Sequence, residues 1–183
     1  MQKISLSSIG QIDASIPNFL KVELENLFVP EIELGQNIEI PLASFNPNRD
    51  QYNSTMIMDE LKKIPGDYQK LLGIIDVDLY VEEYNFIFGE STISGKTAII
   101  SLSRMRQEFY DLKENKEIFY ERTLKEAIHE LGHAYGVLHC KNPTCIMTFS
   151  NSIKDTDRKV KSFCNHCKHQ IKEINPYPVL KES

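Results

Sequence analysis

The chain has 183 residues, 41% of them hydrophobic and 26% charged, with a formal net charge of −5 from 21 Lys or Arg and 26 Asp or Glu. That composition excludes a disordered or fibrous protein, and the length points to a single domain spanning 1–183. No apolar run approaches the ~18–20 residues that a membrane span needs, and the opening MQKISLSSIGQIDASI lacks an apolar secretory core; a cytoplasmic monomer with no membrane partner is expected. The negative charge disfavours nucleic acid as a partner of the whole surface. One segment differs: between Lys154 and Lys172 six Lys or Arg stand with two Asp, a local +4.

In chain order, the alternating residues of KISLSSIGQI and EIELGQNIEIPL predict strands, and the segment between them with Phe19, Leu20 and Val22 is ambiguous. Met56, Ile57, Leu61 and Ile64 recur at three- and four-residue steps, so Tyr52 to Ile64 predicts a helix that Pro65-Gly66 ends. GIIDVDLYV, NFIFGES and KTAIISLS predict three further strands, and Arg104 to Lys116 reads as a loop or short helix. Thr123 followed by Glu126 fits a capping box, which predicts a helix beginning at Thr123.

That helix carries the chemistry. At ~100° per residue, Leu124, Ala127, Ile128, Leu131, Ala134 and Tyr135 fall on one arc, the expected core face, while His129, His133 and Glu130 share the opposite side. The i, i+4 spacing sets the two imidazoles over one point, about 6 Å apart along the axis, where both can bind one Zn²⁺ at ~2.0–2.1 Å. Gly136 falls where a residue of positive φ would stop the helix. The chain can then turn back and offer His139 as a third ligand from a direction the helix cannot reach. Three histidines leave a tetrahedral zinc with an open position, the mark of a catalytic rather than a structural site. Glu130, beside a ligand and on its face, is placed as the general base that moves a proton from water to a leaving amine in peptide hydrolysis. Independent residue frequencies produce H-E-x-x-H-x-x-G-x-x-H in roughly one chain in 70,000, so coincidence is a poor account of it.

All four cysteines follow. Cys140, Cys145, Cys164 and Cys167 form C-x4-C and C-x2-C, four soft thiolates suited to a structural Zn²⁺ over 140–167, with disulfides or free thiols, or another metal or a redox role, as the other readings. Two zinc ions per chain are thus expected, one catalytic and one structural. His166 is read as a bystander and His169 as a surface residue. His139 and Cys140 are consecutive, so a metal fixing Cys140 would also restrain the backbone that presents His139.

HELGHAYGVLH, with CKNPTCIM and FCNHC after it, resembles the archaemetzincin family of metzincin zinc metallopeptidases. The runs QYNST, LGIIDVDLYV, NFIFGES and GKTAIISLSRM share the likeness, which covers about Gln51 to Cys167. The resemblance implies an α/β (α+β), metzincin-like zincin fold with a mixed twisted sheet and an active-site helix. It also places Met147 in a turn beneath the zinc without ligating it; position alone makes Met147 equally an ordinary core filler. A peptide or protein substrate is implied, lying extended along an edge strand, for which NFIFGES is the candidate; its other reading is a plain core strand. The sequence departs from the family at Phe149, where some metzincins carry a tyrosine that assists the oxyanion. A catalytically weak or inactive two-zinc peptide- or protein-binding module is therefore the alternative. A nucleic-acid-binding zinc tail is a third reading, diluted by Asp155 and Asp157.

Overall fold

In the computed structural model, which describes residues 2–182, the chain runs β1 (Lys3–Ile9), α1 (Ser15–Leu27), β2 (Glu31–Leu34), β3 (Phe45–Asn46), β4 (Gln51–Asn53), α2 (Ser54–Leu61), β5 (Lys70–Ile75), β6 (Leu79–Val81), β7 (Tyr84–Ile87), β8 (Gly89–Ser91), β9 (Thr97–Ser101), α3 (Lys116–Ala134), α4 (Ile153–Arg158) and α5 (Asn165–Ile174). Five strands form a mixed sheet in the order β2-β1-β5-β9-β8. The first four are parallel, and β8 runs antiparallel at the edge. A second sheet has the order β3-β4-β6-β7.

β5 shows why the layers stack as they do. Every residue of it is buried, and strand alternation sends Leu72 and Ile74 to one face and Leu71 and Ile75 to the other. The first pair packs with Leu20 and Leu24 of α1 and Leu124, Ala127, Ile128 and Leu131 of α3. The second packs with Ile57, Met58 and Leu61 of α2. A mixed sheet with α3 across it is thus the α/β arrangement expected, and the core arc of that helix is as its periodicity predicts. No helix among the described residues is long and apolar enough to cross a membrane.

Several boundaries differ. The ambiguous segment is α1, whose Ile16, Leu20 and Leu24 are buried at four-residue steps; Pro17 lies in its first turn, where a missing N–H costs no helical bond. α2 is shorter than expected because Tyr52 belongs to β4 and Asn53 caps the helix, its Oδ1 accepting from the Met56 N–H at 3.1 Å. Only Glu31–Leu34 of EIELGQNIEIPL is a strand, with Ile38 bridging to Ile9. The segment read as a loop or short helix, Arg104 to Lys116, overlaps a 3₁₀ turn at Ser103–Met105, holds another at Glu108–Tyr110 and ends at the first residue of α3.

Two predicted strands are each divided between the two sheets. GIIDVDLYV breaks at Asp76 and Asp78, whose carboxylates pair with Arg106 and Arg104. NFIFGES breaks at Phe88, which turns into a small cluster with Met105 and Ile153.

α3 begins at Lys116, seven residues before the predicted start. Asn115 is its cap, its Oδ1 accepting from the Ile118 N–H at 3.1 Å. Thr123 is inside the helix and its hydroxyl donates back to the Phe119 carbonyl at 2.8 Å, the usual bond of a mid-helix threonine. Replacing Asn115 with Ala should cost about 1 kcal/mol of stability in urea denaturation; an unchanged midpoint would place the helix start elsewhere.

Candidate active site

The last turn of α3 ends as Gly136 requires. Its φ is +95°, its N–H donates to the His133 carbonyl at 2.8 Å, and the Val137 N–H donates to the Gly132 carbonyl at 3.0 Å; this is the Schellman pattern, which needs a residue without a Cβ penalty. The reversal brings the Val137 carbonyl under His133 and carries His139 back across the helix end. Lys70 anchors the same end, its Nζ donating to the Ala134 and Gly95 carbonyls at 2.7 Å each. A cation is favourable where helix carbonyls are left unpaired, although burial lowers the Lys70 pKa to about 8.

His129 Nδ1 lies 2.8 Å from the Ile146 carbonyl, and His133 Nδ1 lies 2.7 Å from the Val137 carbonyl. A carbonyl only accepts, so each Nδ1 carries the proton and each Nε2 keeps a bare lone pair. Those lone pairs converge: Nε2 of His133 is 3.2 Å from Nε2 of both His129 and His139. No hydrogen bond joins His129 to His133 when both nitrogens are acceptors, and the contact needs a cation between them. Three nitrogens about 2.05 Å from a tetrahedral zinc are spaced about 3.3 Å apart, so the residues fit the ion. Burial holds the His129 and His133 pKa values down, that of His133 to about 4, and that of His139 is lowered for the same reason.

The cysteines meet as a second group. Sγ of Cys140 is 3.8 Å from that of Cys164, and Sγ of Cys145 is 3.7 Å from that of Cys167. All four sulfurs lie within 4.8 Å of one another. A tetrahedron of thiolates about 2.3 Å from zinc has edges of about 3.8 Å. Burial pushes the Cys145 and Cys167 thiols up, a tendency that a bound cation reverses. His166 and His169 are exposed and outside both groups, as expected for a bystander and a surface residue.

Above the histidines is a cleft of about 900 Å³ whose lining includes Glu130, Glu126, Lys159, Phe86, Leu138 and Phe149. Glu130 is buried, and among the described residues no donor reaches its Oε2. β8 passes directly over it: a Cβ on Gly89 would lie 2.7 Å from Glu130 Cγ and 2.9 Å from Oε1. Burial, with the Glu126 carboxyl beside it, raises the Glu130 pKa well above the ordinary value.

Residues 9–173 match the model of peptidase family M54. The chain belongs to this family. It is 41% identical over 177 residues to the archaemetzincin of Methanocaldococcus jannaschii, covering 97% of each chain, and 36% identical to that of Saccharolobus solfataricus, covering 96% of each. Among solved structures, the archaemetzincin of Methanopyrus kandleri superposes with a TM-score of 0.84 at 30% identity, covering 94% of both chains. That of Archaeoglobus fulgidus, complexed with malonate, gives 0.81 at 34% identity, covering 92% of this chain and 99% of the other. As an M54 member the chain is a zinc metallopeptidase, a hydrolase acting on peptides or proteins.

Within this M54 site the sequence-predicted residues come together as two groups, His129, His133 and His139, and the four cysteines. Met147 is fully buried, and its Sδ occupies space that a Cβ on Gly132 would need. It packs under α3 and is outside the ligand groups. Phe149 meets His139 edge-on, ring centroids 4.9 Å apart. Glu126, read from sequence as a capping residue, and Lys159, read as part of a basic run, both line this cleft. Glu126 could have been found from its i, i+4 spacing to Glu130, whereas nothing local to Lys159 signals its place.

In metal-free protein His133 stays neutral down to about pH 4, whereas in the unfolded chain it takes up its proton near 6.5. The unfolded state then binds more protons between those values, so stability is present above about pH 6.5 and falls as pH drops towards about 4. Urea denaturation in a chelator should show that decline; a flat profile would mean the imidazole is not shielded as described.

Proposed function

We propose that His129, His133 and His139 hold a catalytic zinc, that Cys140, Cys145, Cys164 and Cys167 hold a structural one, and that Glu130 is the general base of peptide-bond hydrolysis. The observation that carries this is the convergence of the Nε2 atoms of His129, His133 and His139, 3.2 Å apart in two of the pairs and proton-free on His129 and His133, beside a buried carboxylate oxygen that accepts no hydrogen bond from the described residues. A zinc ion held by these three histidines would supply Lewis acidity to a scissile carbonyl and to an adjacent water. Glu130 takes a proton from that water and passes it to the departing amine nitrogen, which restores the carboxylate for the next cycle. Its desolvated, high-pKa carboxylate is the stronger base for that transfer.

The substrate strand is assigned to β8 rather than to all of NFIFGES. Gly89–Ser91 forms the sheet edge and, among the described residues, pairs as a strand only with β9, so its other side is offered to an extended peptide backbone over Glu130. Phe149 adds no hydroxyl and serves as an apolar wall against His139.

The cysteine subregion 140–167 belongs to the same single domain and acts as a clamp. It reaches the histidines twice: Cys140 follows His139 directly, and the Ile146 carbonyl that orients His129 follows Cys145. The Cys140 N–H donates to the Met147 carbonyl at 2.9 Å, closing the loop between them.

Mass measurement of metal content should find two zinc per chain, falling towards one in a His129→Ala, His133→Ala variant. Glu130→Gln with zinc retained should lower hydrolysis of a peptide library by 10²–10⁴-fold; equal rates in wild type and variant would assign the cleavage to a contaminant. Cys164→Ser with Cys167→Ser should deplete zinc at the histidines as well, and full occupancy there would remove the clamp.

A further inference from the structure

Two charged side chains at the base of the cleft have no part in the reaction above. Glu126 lies one turn before Glu130 on the same face of α3, and both are 4% exposed. Lys159, just beyond α4, is 3% exposed and lines the cleft with them. It is the only Lys or Arg among the described lining residues, against four carboxyl groups, those of Glu83, Glu90, Glu126 and Glu130.

The backbone that delivers Lys159 is laced to the cysteine loop. The Val160 N–H donates to the Thr144 carbonyl at 2.9 Å, and the Ile146 N–H donates to the Ser162 carbonyl at 3.2 Å. The same short stretch thus presents the Ile146 carbonyl to His129 and fixes the root of Lys159. A long, flexible side chain is led from a constrained backbone into a buried acidic pocket, where its charge is not screened by solvent.

Accepting Glu130 as the general base, we propose that Glu126 and Lys159 are its positioning residues: Glu126 supports the Glu130 carboxyl from one helical turn below, and the Lys159 ammonium offsets the negative charge buried between them. The electrostatics agree with that geometry. Burial raises the pKa of both carboxyls while Lys159 opposes the rise, and the two acids are within hydrogen-bonding reach of one another. Burial lowers that of Lys159, and Glu126 and Glu130 are foremost among the groups that hold it up. Two buried carboxyls without a cation would carry an uncompensated charge, which is strongly destabilising.

The test is a pair of double-mutant cycles on the zinc-loaded full chain. Glu126→Gln, Lys159→Met and Glu130→Gln are made singly and in pairs, with Glu126→Ala alongside. Zinc per chain is read by native mass spectrometry, the unfolding equilibrium in urea, and rates with a quenched-fluorescent peptide library at limiting and saturating concentration. Every variant should keep two zinc ions. Lys159→Met should lower the saturating rate roughly 10–100-fold with little change in KM, the scale of losing a supporting group. Glu126→Gln should retain more activity than Glu126→Ala, and neither Lys159→Met nor Glu126→Gln should lower the rate further once Glu130 is Gln. Lys159→Met should also shift the unfolding constant roughly tenfold less in the Glu130→Gln background than in the wild type. Additive effects in both cycles would overturn the assignment. If Lys159→Met does not fold, the Glu126→Gln and Glu130→Gln cycle decides. A wild type that cleaves nothing removes the peptidase reading by itself, while the unfolding cycle still accepts or rejects the contact.

Discussion

A neutral imidazole carries its one proton on either nitrogen, and in this protein two main-chain oxygens make the choice. The carbonyls of Ile146 and Val137 take the Nδ1 protons of His129 and His133, so the Nε2 lone pairs are turned towards each other and towards His139. Such a cluster is unfavourable by itself, because lone pairs of like polarity face one another, two of them on buried rings. It becomes favourable with a cation at the centre. The rest of the molecule can be understood as the means of holding those two carbonyls still.

The Val137 carbonyl is held by the helix end. Gly136 reverses the chain, Lys70 bonds the Ala134 carbonyl, and the Ser94 N–H donates to the His133 carbonyl at 3.0 Å, so β5 and the β8–β9 loop both grip the last turn. The Ile146 carbonyl is held by the cysteine loop. Its neighbours Cys145 and Met147 are wholly buried, one in the sulfur cluster and the other against Gly132. A displacement of the cysteine loop therefore reaches the histidines through packed atoms and a hydrogen bond, without any need for a larger motion.

Charge in the cleft is arranged on the same economy. The His129 and His133 imidazoles are kept neutral by burial, the carboxyl of Glu130 is kept basic by it, and among the described lining residues a single ammonium stands against four acids. A bound dication would change that balance more than any side chain could, and Phe86, Leu138 and Phe149 add apolar wall to the cleft around it.

Sequence alone determined what depends on separations of a few residues along one chain: the two histidines and Glu130 on one helical side, the Gly136 turn that returns His139, the C-x4-C and C-x2-C pairs, and the apolar arc of α3. These follow from the 3.6-residue period and from glycine's access to positive φ. The start of α3 was misplaced because a Thr and a Glu three residues apart suit a cap and a helix interior alike, and only Asn115 in its extended conformation separates the cases. Tertiary structure decided the division of GIIDVDLYV and NFIFGES between two sheets, the place of β8 at the sheet edge, the protonated nitrogen of His129 and of His133, and the arrival of Lys159 in one cleft with Glu130. Each of those rests on a partner distant along the chain, an arginine for Asp76 and Asp78, a carbonyl 17 residues from His129, and no local pattern encodes which distant group will fill a given space.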